Sequence, residues 1–547
     1  MTTPPVQRFL NLMKLYRSEL RQIYVYALFV GVVNLTLPLG IQAIINFLQI
    51  GELTSTWVLL VIFVLVGIAI TGILQVLQLR VVENIQQDLF ARSGFEFAYR
   101  IPKITFLQLD RIHAPELVNR FFDTLTVQKG LPKILIDFSL AIFQIVFGLI
   151  LLAIYSPFFI ILGVTLAFIL YLIFRVTGPK GLETSLIESK YKYRLAHWLE
   201  EVARVNRTFK MNSGADFHLE KTDSIVSGYL KSRESHFRVL INQFRFFVGF
   251  KVILAAGLLL LGGVLVFNEQ LNLGQFVASE IVILLIINSV EKIIRTIDTI
   301  YDTLTGLEKI GYVTDLELDK HGGQLEVRGE NGFSVRVRDL DFTFPGMRRN
   351  IIENLSFELA ENEKVVLGGP SGSGKSVLLQ ILAGIHRPNE GEVYVNGIPF
   401  NNYRRGDLTE HLAVSFPTNQ IFEGTFRENI LLGRDHISED RLEQCLDILD
   451  LTEYVIHQPQ GLDTDLDSGG RRLPRSIIQK ILVARIIVAN PQLLLLEDPL
   501  QFLADDEKKR IIDYLMSPER KWTLLVISDF HYWQERADRI LTIGKPR

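Results

Sequence analysis

At 547 residues and a net charge of −3, the chain has room for several domains and lacks the basic excess that would suggest a nucleic-acid partner. Its single cysteine, Cys445, excludes an intrachain disulfide and a cysteine-rich metal site. The mean hydropathy of +0.25 is high for a soluble protein, and the apolar residues are concentrated in the first part of the chain.

The opening stretch, MTTPPVQRFLNLMKLYRSELRQ, has no short apolar core followed by a small-residue cleavage site, so no removable signal peptide is expected. Six apolar runs follow, at approximately 23–47, 57–77, 134–155, 158–176, 248–267 and 276–290. Most approach the roughly 20 residues needed to cross a bilayer core, whereas helices buried in soluble proteins rarely sustain about 18. The short links after the first, third and fifth runs (GELTST, SP and NEQLN) contain no Lys or Arg. The N-terminus carries Arg8, Lys14, Arg17 and Arg21, and the long links after the second and fourth runs hold many more basic residues. The positive-inside rule therefore places the N-terminus, both long links and, after an even number of crossings, everything beyond about residue 300 in the cytoplasm.

The long links, about 78–133 and 177–247, have few prolines or glycines in their interiors and are expected to continue the membrane helices. Each contains a break, QLDRIHAPEL (108–117) and KMNSGADFHL (210–219). These breaks are candidate contact elbows for the following domain; plain helix–turn–helix packing is the alternative. Two charges interrupt the apolar runs. Lys251 lies near a cytoplasmic end, where its ammonium is expected to snorkel to the interface. Glu280, further in, is a candidate for lining a pathway.

After about residue 315 the composition becomes charged and glycine-bearing (DLELDKHGGQLEVRGENG), as in a linker. Short β-rich runs then alternate with helical stretches: FSVRVRDLDFTF, KVVLGG, GEVYVNG, LLLLED, TLLVIS and RILTIG. That pattern predicts an α/β domain of about 215 residues built largely on a parallel sheet. The domains are thus read as 1–315 membrane-embedded and helical, 316–333 linker and 334–547 α/β.

Within KVVLGGPSGSGKSVLLQIL, the residues Gly369, Pro370, Ser371, Gly372, Ser373, Gly374, Lys375 and Ser376, followed by Val377, fit a P-loop in its strand–loop–helix context. Glycines let backbone N–H groups close around phosphates, Lys375 supplies a cation to the β- and γ-phosphates, and Ser376 offers a hydroxyl to Mg²⁺. The helix N-terminus adds partial positive charge. Downstream, four leucines end in the carboxylates Glu497 and Asp498, a pair able to hold a metal and activate a water if the phosphate site lies nearby.

At this point the chain resembles the ABC exporters, in which a polytopic six-helix membrane domain is fused to a nucleotide-binding domain. The resemblance runs nearly the whole length, through the six runs, LNLGQFVASEIVIL, LEKI and FEGTFRENILLG (422–433). It is nearest to the bacterial type I secretion and bacteriocin exporters, without their N-terminal peptidase-like domain. It implies that Phe344, in FTFPG, stacks on adenine. The loop expected to bring a glutamine to Mg²⁺ reads VSFPTNQIFEGT, with Pro417 at the glutamine position and Gln420 out of register. Proline offers neither a side-chain ligand nor an N–H.

The signature expected as leucine-serine-glycine-glycine-glutamine reads LPRSI (473–477); the upstream SGG (468–470) is a decoy, because the helix IIQKILVARIIVANP fixes the register. Pro474 removes an N–H, and Arg475 crowds a point of close approach. Arg475 as a cationic finger is the alternative. The family has aspartate, then glutamate, at the end of the leucine strand; here Glu497 takes the Mg²⁺-organising position and Asp498 the water-polarising one. Each carboxylate is displaced by one methylene, on the order of 1–1.5 Å, and a misplacement of about 1 Å can cost ~10²-fold in rate. Asp529 stands where a histidine is expected, with His531 two residues on.

The resemblance implies a multi-pass protein of the bacterial inner membrane, embedded in the lipid bilayer. It would work as a homodimer or beside a second half-transporter, with ATP and Mg²⁺ as cofactors, a periplasmic adaptor as a further partner and peptide, protein or other hydrophobic cargo. Carboxylates and signature depart from the pattern in the same chain, so ATP should bind and be hydrolysed slowly or not at all. A non-transporting membrane scaffold or nucleotide sensor is the competing reading.

Overall fold

The computed structural model describes residues 3–50, 55–109, 112, 114–212, 214, 216–319, 323–329, 331–418 and 420–544. The chain divides into two compact units, residues 1–104 with 108–318 and residues 105–107 with 319–547.

In the first unit, six helical segments among the described residues are long and apolar enough to cross a membrane: Arg17–Gln49, Ser55–Lys103, Ala114–Tyr155, Phe158–Arg204, Phe217–Phe267 and Leu273–Thr314. Most extend far beyond their apolar runs, as the helical composition of the links suggests. Two irregularities were not expected. The first segment breaks at Asn34 and Leu35 between the helices Arg17–Val33 and Thr36–Ile50. Pro38 lacks the N–H that would bond the Asn34 carbonyl. The third is interrupted by a π-turn, Lys133–Phe138, immediately after Pro132. The carbonyl of Gln128, which Pro132 cannot reach with an N–H, accepts the side-chain amide of Gln86 at 2.8 Å instead.

The last segment lies at the centre of the unit and buries Val282, Ile283, Ile286 and Val290 against the third. Gly148 permits that approach, since a Cβ there would meet Ile286 at 3.1 Å and Val282 at 3.2 Å. The second and fourth segments leave Leu59, Phe63, Ile73, Ile161 and Val164 exposed, as a lipid-facing surface requires. Lys251 does not simply snorkel. Its ammonium lies 3.4 Å from Glu291, which also takes Arg295 at 2.6 Å. Glu280 is exposed on this chain. Of the two elbows, Asp110, Arg111, His113, Ser213 and Ala215 lie outside the described residues. The second elbow is flanked by an aromatic cluster in which Trp198 packs edge-on to Phe209 (5.8 Å) and Phe217 (6.4 Å), capped by Lys221.

In the second unit the strands are β1 (Val335–Phe342), β2 (Ile352–Leu359), β3 (Lys364–Gly368), β4 (Glu390–Val395), β5 (Ile398–Pro399), β6 (Leu412–Ser415), β7 (Gly424–Thr425), β8 (Asp465–Leu466), β9 (Leu493–Glu497), β10 (Thr523–Ile527) and β11 (Arg539–Thr542). A five-stranded parallel sheet runs β11-β3-β10-β9-β6. A second, antiparallel sheet runs β2-β1-β4-β5, so FSVRVRDLDFTF and GEVYVNG leave the parallel sheet they were expected to join. Their composition explains why. β1 alternates buried Val335 and Val337 with exposed Arg336, the signature of a sheet with one wet face, whereas β9 and β10 are buried along nearly their whole length.

β3 starts on a buried lysine. Lys364 Nζ donates to the carbonyls of Asn362 (3.0 Å), Arg520 (3.0 Å) and Trp522 (2.5 Å), and burial pushes its ammonium down to about 8 from 10.5. Between those values the folded chain has released a proton that the unfolded chain keeps, so this residue's contribution to stability rises with pH across that window. Lys364→Met should abolish that slope and, by orphaning three carbonyls, destabilise the unit by about 2–4 kcal/mol. Thermal unfolding of both proteins between neutral and alkaline pH checks it; an unchanged slope would rule Lys364 out as its source.

Candidate nucleotide site

The candidate phosphate-binding loop connects β3 to the helix Lys375–Leu382. β3 places Val365, Val366 and Leu367 in the core, so the chain leaves the sheet at a fixed point, and Leu378 and Leu379 anchor the helix one turn later. The turn between demands glycine. Gly369 (φ 139°) and Gly374 (φ 87°) occupy the left-handed region, and a Cβ on Gly374 would press within 3.0 Å of the Ile351 carbonyl oxygen. Pro370, Ser371 and Gly372 form the exposed tip, Ser373 is buried, and Val377 packs partly into the core. Lys375 Nζ donates to the loop's own carbonyls, Gly369 (2.8 Å) and Pro370 (3.0 Å).

The structure brings this loop to the carboxylates. Ser376 Oγ donates to Glu497 Oε1 at 2.5 Å, joining the helix start to the end of β9. Two oxygen ligands suit Mg²⁺, which keeps waters and phosphate oxygens for the rest of its octahedron. Among the described residues no cluster of three or more His, Cys, Asp or Glu side chains could replace them with a closed metal cage.

Asp498 follows with φ 44°, an uncommon conformation for a residue with a side chain, and its N–H donates to the Ile527 carbonyl at 2.9 Å. Burial pushes its carboxyl above the ordinary aspartate range. The charge of Asp529 acts in the same direction, while a Ser528 hydrogen bond and the Lys375 cation oppose it. A carboxyl raised in the folded state loses stability as pH climbs through its pKa. Asp529→Asn should therefore raise the melting temperature at neutral pH. The gain should shrink as pH falls through about 4 and be lost by about pH 2–3, where Asp498 is protonated whether folded or not. A gain that persisted in acid would show that the two carboxylates are not coupled.

A cleft of about 460 Å³ opens beside this pair, with Pro417, Gln420, Arg475, Gln479 and Phe502 among its walls. Gln420, three positions beyond Pro417, lines the same cleft as the carboxylates despite its register. Arg475 opens the helix Arg475–Ile487 directly after Pro474 and holds its guanidinium 5.1 Å from the centre of the Phe502 ring. The N–H groups of Gly469 and Gly470 already donate to the carbonyls of Ile421 and Asp467, both at 2.8 Å. Neither is left to meet a phosphate.

Phe344 sits edge-on to Phe342 (5.0 Å) and His386 (5.3 Å), half-buried. His531 pairs with Glu535 at 3.1 Å on the surface, and Asp529 is exposed. Gln479 was missed from the sequence. Its Oε1 accepts from the Phe502 N–H at 2.6 Å, and its Nε2 donates to the Asp498 carbonyl at 3.4 Å, tying the signature helix to the carboxylate turn. The available signal was a polar residue on the apolar, buried face of IIQKIL.

Sequence comparison places residues 22–290 in the ABC transporter transmembrane region and residues 352–501 in the ABC transporter family. The ATP-dependent lipid A-core flippase of Burkholderia orbicola is 28% identical over 276 residues, 50% of this chain and 46% of that one. The corresponding flippase of Pseudomonas fluorescens strain Pf0-1 is 28% identical over 298 residues, 54% of this chain and 49% of that one. The chain spans about half the length of the curated relatives it matches. A solved bacterial Atm1-family ABC exporter with ATP bound superposes with a TM-score of 0.82, covering 97% of this chain and 94% of its own, at 18% identity. At that identity the likeness speaks for the fold alone.

Proposed function

Because the chain belongs to the ABC transporter family, as a half-transporter whose membrane and nucleotide-binding parts are fused in one polypeptide, we propose that it is an exporter subunit. In this reading it dimerises, binds ATP and hydrolyses it weakly. The observation that carries the proposal is the joining of Ser376 to Glu497 at 2.5 Å beside a glycine-built loop. That arrangement keeps the phosphate-gripping groups together while the groups beyond them depart from the family pattern.

ATP phosphates would displace the Gly369 and Pro370 carbonyls from the Lys375 ammonium and take up the loop's N–H groups. Ser376 and Glu497 would hold Mg²⁺, which supplies charge neutralisation between the β- and γ-phosphates. Phe344, held edge-on to Phe342 and His386, would stack on adenine. Asp498 is the residue left to polarise water, from a position one methylene short and with a carboxyl burdened by burial and by Asp529. Opposite it in a homodimer would stand Pro474 and Arg475, which lack the compact donors of the family signature. Gln420 lies at the same cleft and is the available replacement for the glutamine lost at Pro417.

Binding alone can shift a two-state equilibrium, but repeated export requires a reset. Export of hydrophobic cargo is the first reading. Lipid is one candidate class because relatives are named for lipid A-core flipping, and peptide or protein is the other; a periplasmic adaptor would accompany the second. The basic residues before the first span support a cytoplasmic N-terminus, and an even number of crossings would return the C-terminus to the same side. The joint alteration of carboxylates and signature favours a second reading, a non-transporting membrane scaffold or nucleotide sensor. ATP turnover of the purified protein in lipid, with and without a candidate cargo or second half-transporter, separates them. Stimulation supports export, and a turnover that nothing raises supports the sensor.

A further inference from the structure

The first membrane segment starts at Arg17, after a backbone break at Tyr16 (φ −103°, ψ 34°) whose hydroxyl donates to Asp88 at 2.7 Å. Arg17, Arg21, Tyr24, Val25 and Leu28 recur at three- and four-residue intervals and so share one helix face. With Phe143 of the third segment they line an open groove of about 480 Å³. The two guanidinium groups stand one turn apart at its head, where the apolar run begins; the apolar wall continues for roughly 10 Å beyond Arg21.

Among the described residues neither arginine has an ion-pair partner. Glu19, on the same helix, is two positions from each arginine and points away from their face. Asp137, on the π-turn that packs nearby, pairs with neither, and Asp88 is engaged by Tyr16 and Arg92. The groove also ends. At Gly31 the two helices close until a Cβ would lie 2.9 Å from Phe147 and 3.0 Å from Phe143. An occupant must therefore be anionic at one end, apolar for a short length and narrow. A further helix is too wide for a groove that closes within a few turns.

We propose that this groove holds an anionic phospholipid of the adjacent leaflet, its phosphate held by Arg17 and Arg21 and its acyl chain laid along Tyr24, Val25 and Leu28 against Phe143. Bidentate guanidinium–phosphate contacts supply the specificity, and headgroup depth supplies the reach. Such a lipid wedges the first segment against the third.

The test is native mass spectrometry of the full chain released from nanodiscs of phosphatidylcholine doped with phosphatidylglycerol. The wild type should retain phosphatidylglycerol selectively. Arg17→Gln/Arg21→Gln should lower that retention about tenfold or more, from two lost phosphate contacts. Leu28→Trp, which fills the groove and leaves both arginines, should lower it as well. Arg245→Gln, exposed at the start of the fifth apolar run, should leave it unchanged. ATP binding by each variant reports folding; should the double variant fail there, Leu28→Trp decides. Equal retention of both lipids by the wild type, or undiminished phosphatidylglycerol on the variants, overturns the proposal. So does a Leu28→Cys chain that crosslinks efficiently to a second copy, which would make the groove a subunit contact.

Discussion

Lys375→Ala should weaken ATP binding by about a hundredfold, the equivalent of one or two charge-assisted hydrogen bonds. The ammonium is held over the loop by the Gly369 and Pro370 carbonyls, at 2.8 and 3.0 Å, in the position from which it would pass to phosphate oxygens. Alanine removes the cation and leaves the glycine turn intact, because the positive φ angles of Gly369 and Gly374 do not depend on the lysine. Fluorescence titration of the full chain with an ATP analogue gives the affinity, and an unchanged melting temperature without nucleotide shows that folding is intact. Normal affinity in the variant would place the phosphate cradle elsewhere.

The second large effect is a gain. Exchanging the carboxylates (Glu497→Asp with Asp498→Glu), together with Pro474→Ser and Arg475→Gly, should raise ATP turnover by at least about 10²-fold. The pairs need repair together. In the proposed homodimer each composite site would join the carboxylates of one chain to the signature of the other, so mending either alone would leave a faulty half and the gains would not add. The aspartate at 497 withdraws one methylene from Ser376, whose hydroxyl now reaches Glu497 at 2.5 Å, and frees it for the metal. The glutamate at 498 extends past the turn that the left-handed Asp498 backbone sets. Phosphate release by the four variants of this double cycle measures the coupling. A combined variant no faster than the parent would mean that the reversed carboxylates are not what limits hydrolysis.

How far the sequence could be read depends on the range of the interactions that fix each feature. The strand–turn–helix around 369–376 was legible because it is local: eight consecutive residues carry the turn and the side chains proposed for phosphate and metal. The six apolar runs were legible for the same reason, since crossing length is a property of one segment. The break at Asn34 was accessible only through Pro38, inside an apolar run, and the π-turn only through Pro132, just ahead of the third run. Pairings between distant segments left no local trace. Lys251 was expected to snorkel, but the fold brings Glu291 beside it, and nothing in the sequence marked Lys364 as the lysine over which three carbonyls close. Gln420 was set aside because alignment counts positions along the chain, whereas the loop delivers it in space to the cleft of Glu497 and Asp498. The second sheet was missed because the alternation of valine and arginine in β1 was taken as strand alone, without asking which face was wet.

The most direct measurement is Mg²⁺-dependent phosphate release from ATP by the purified full-length chain, alone in lipid, beside its Glu497→Gln and Asp498→Asn variants. Saturable nucleotide binding with release barely above the variants is the predicted result. Rapid release that either substitution abolishes would contradict it.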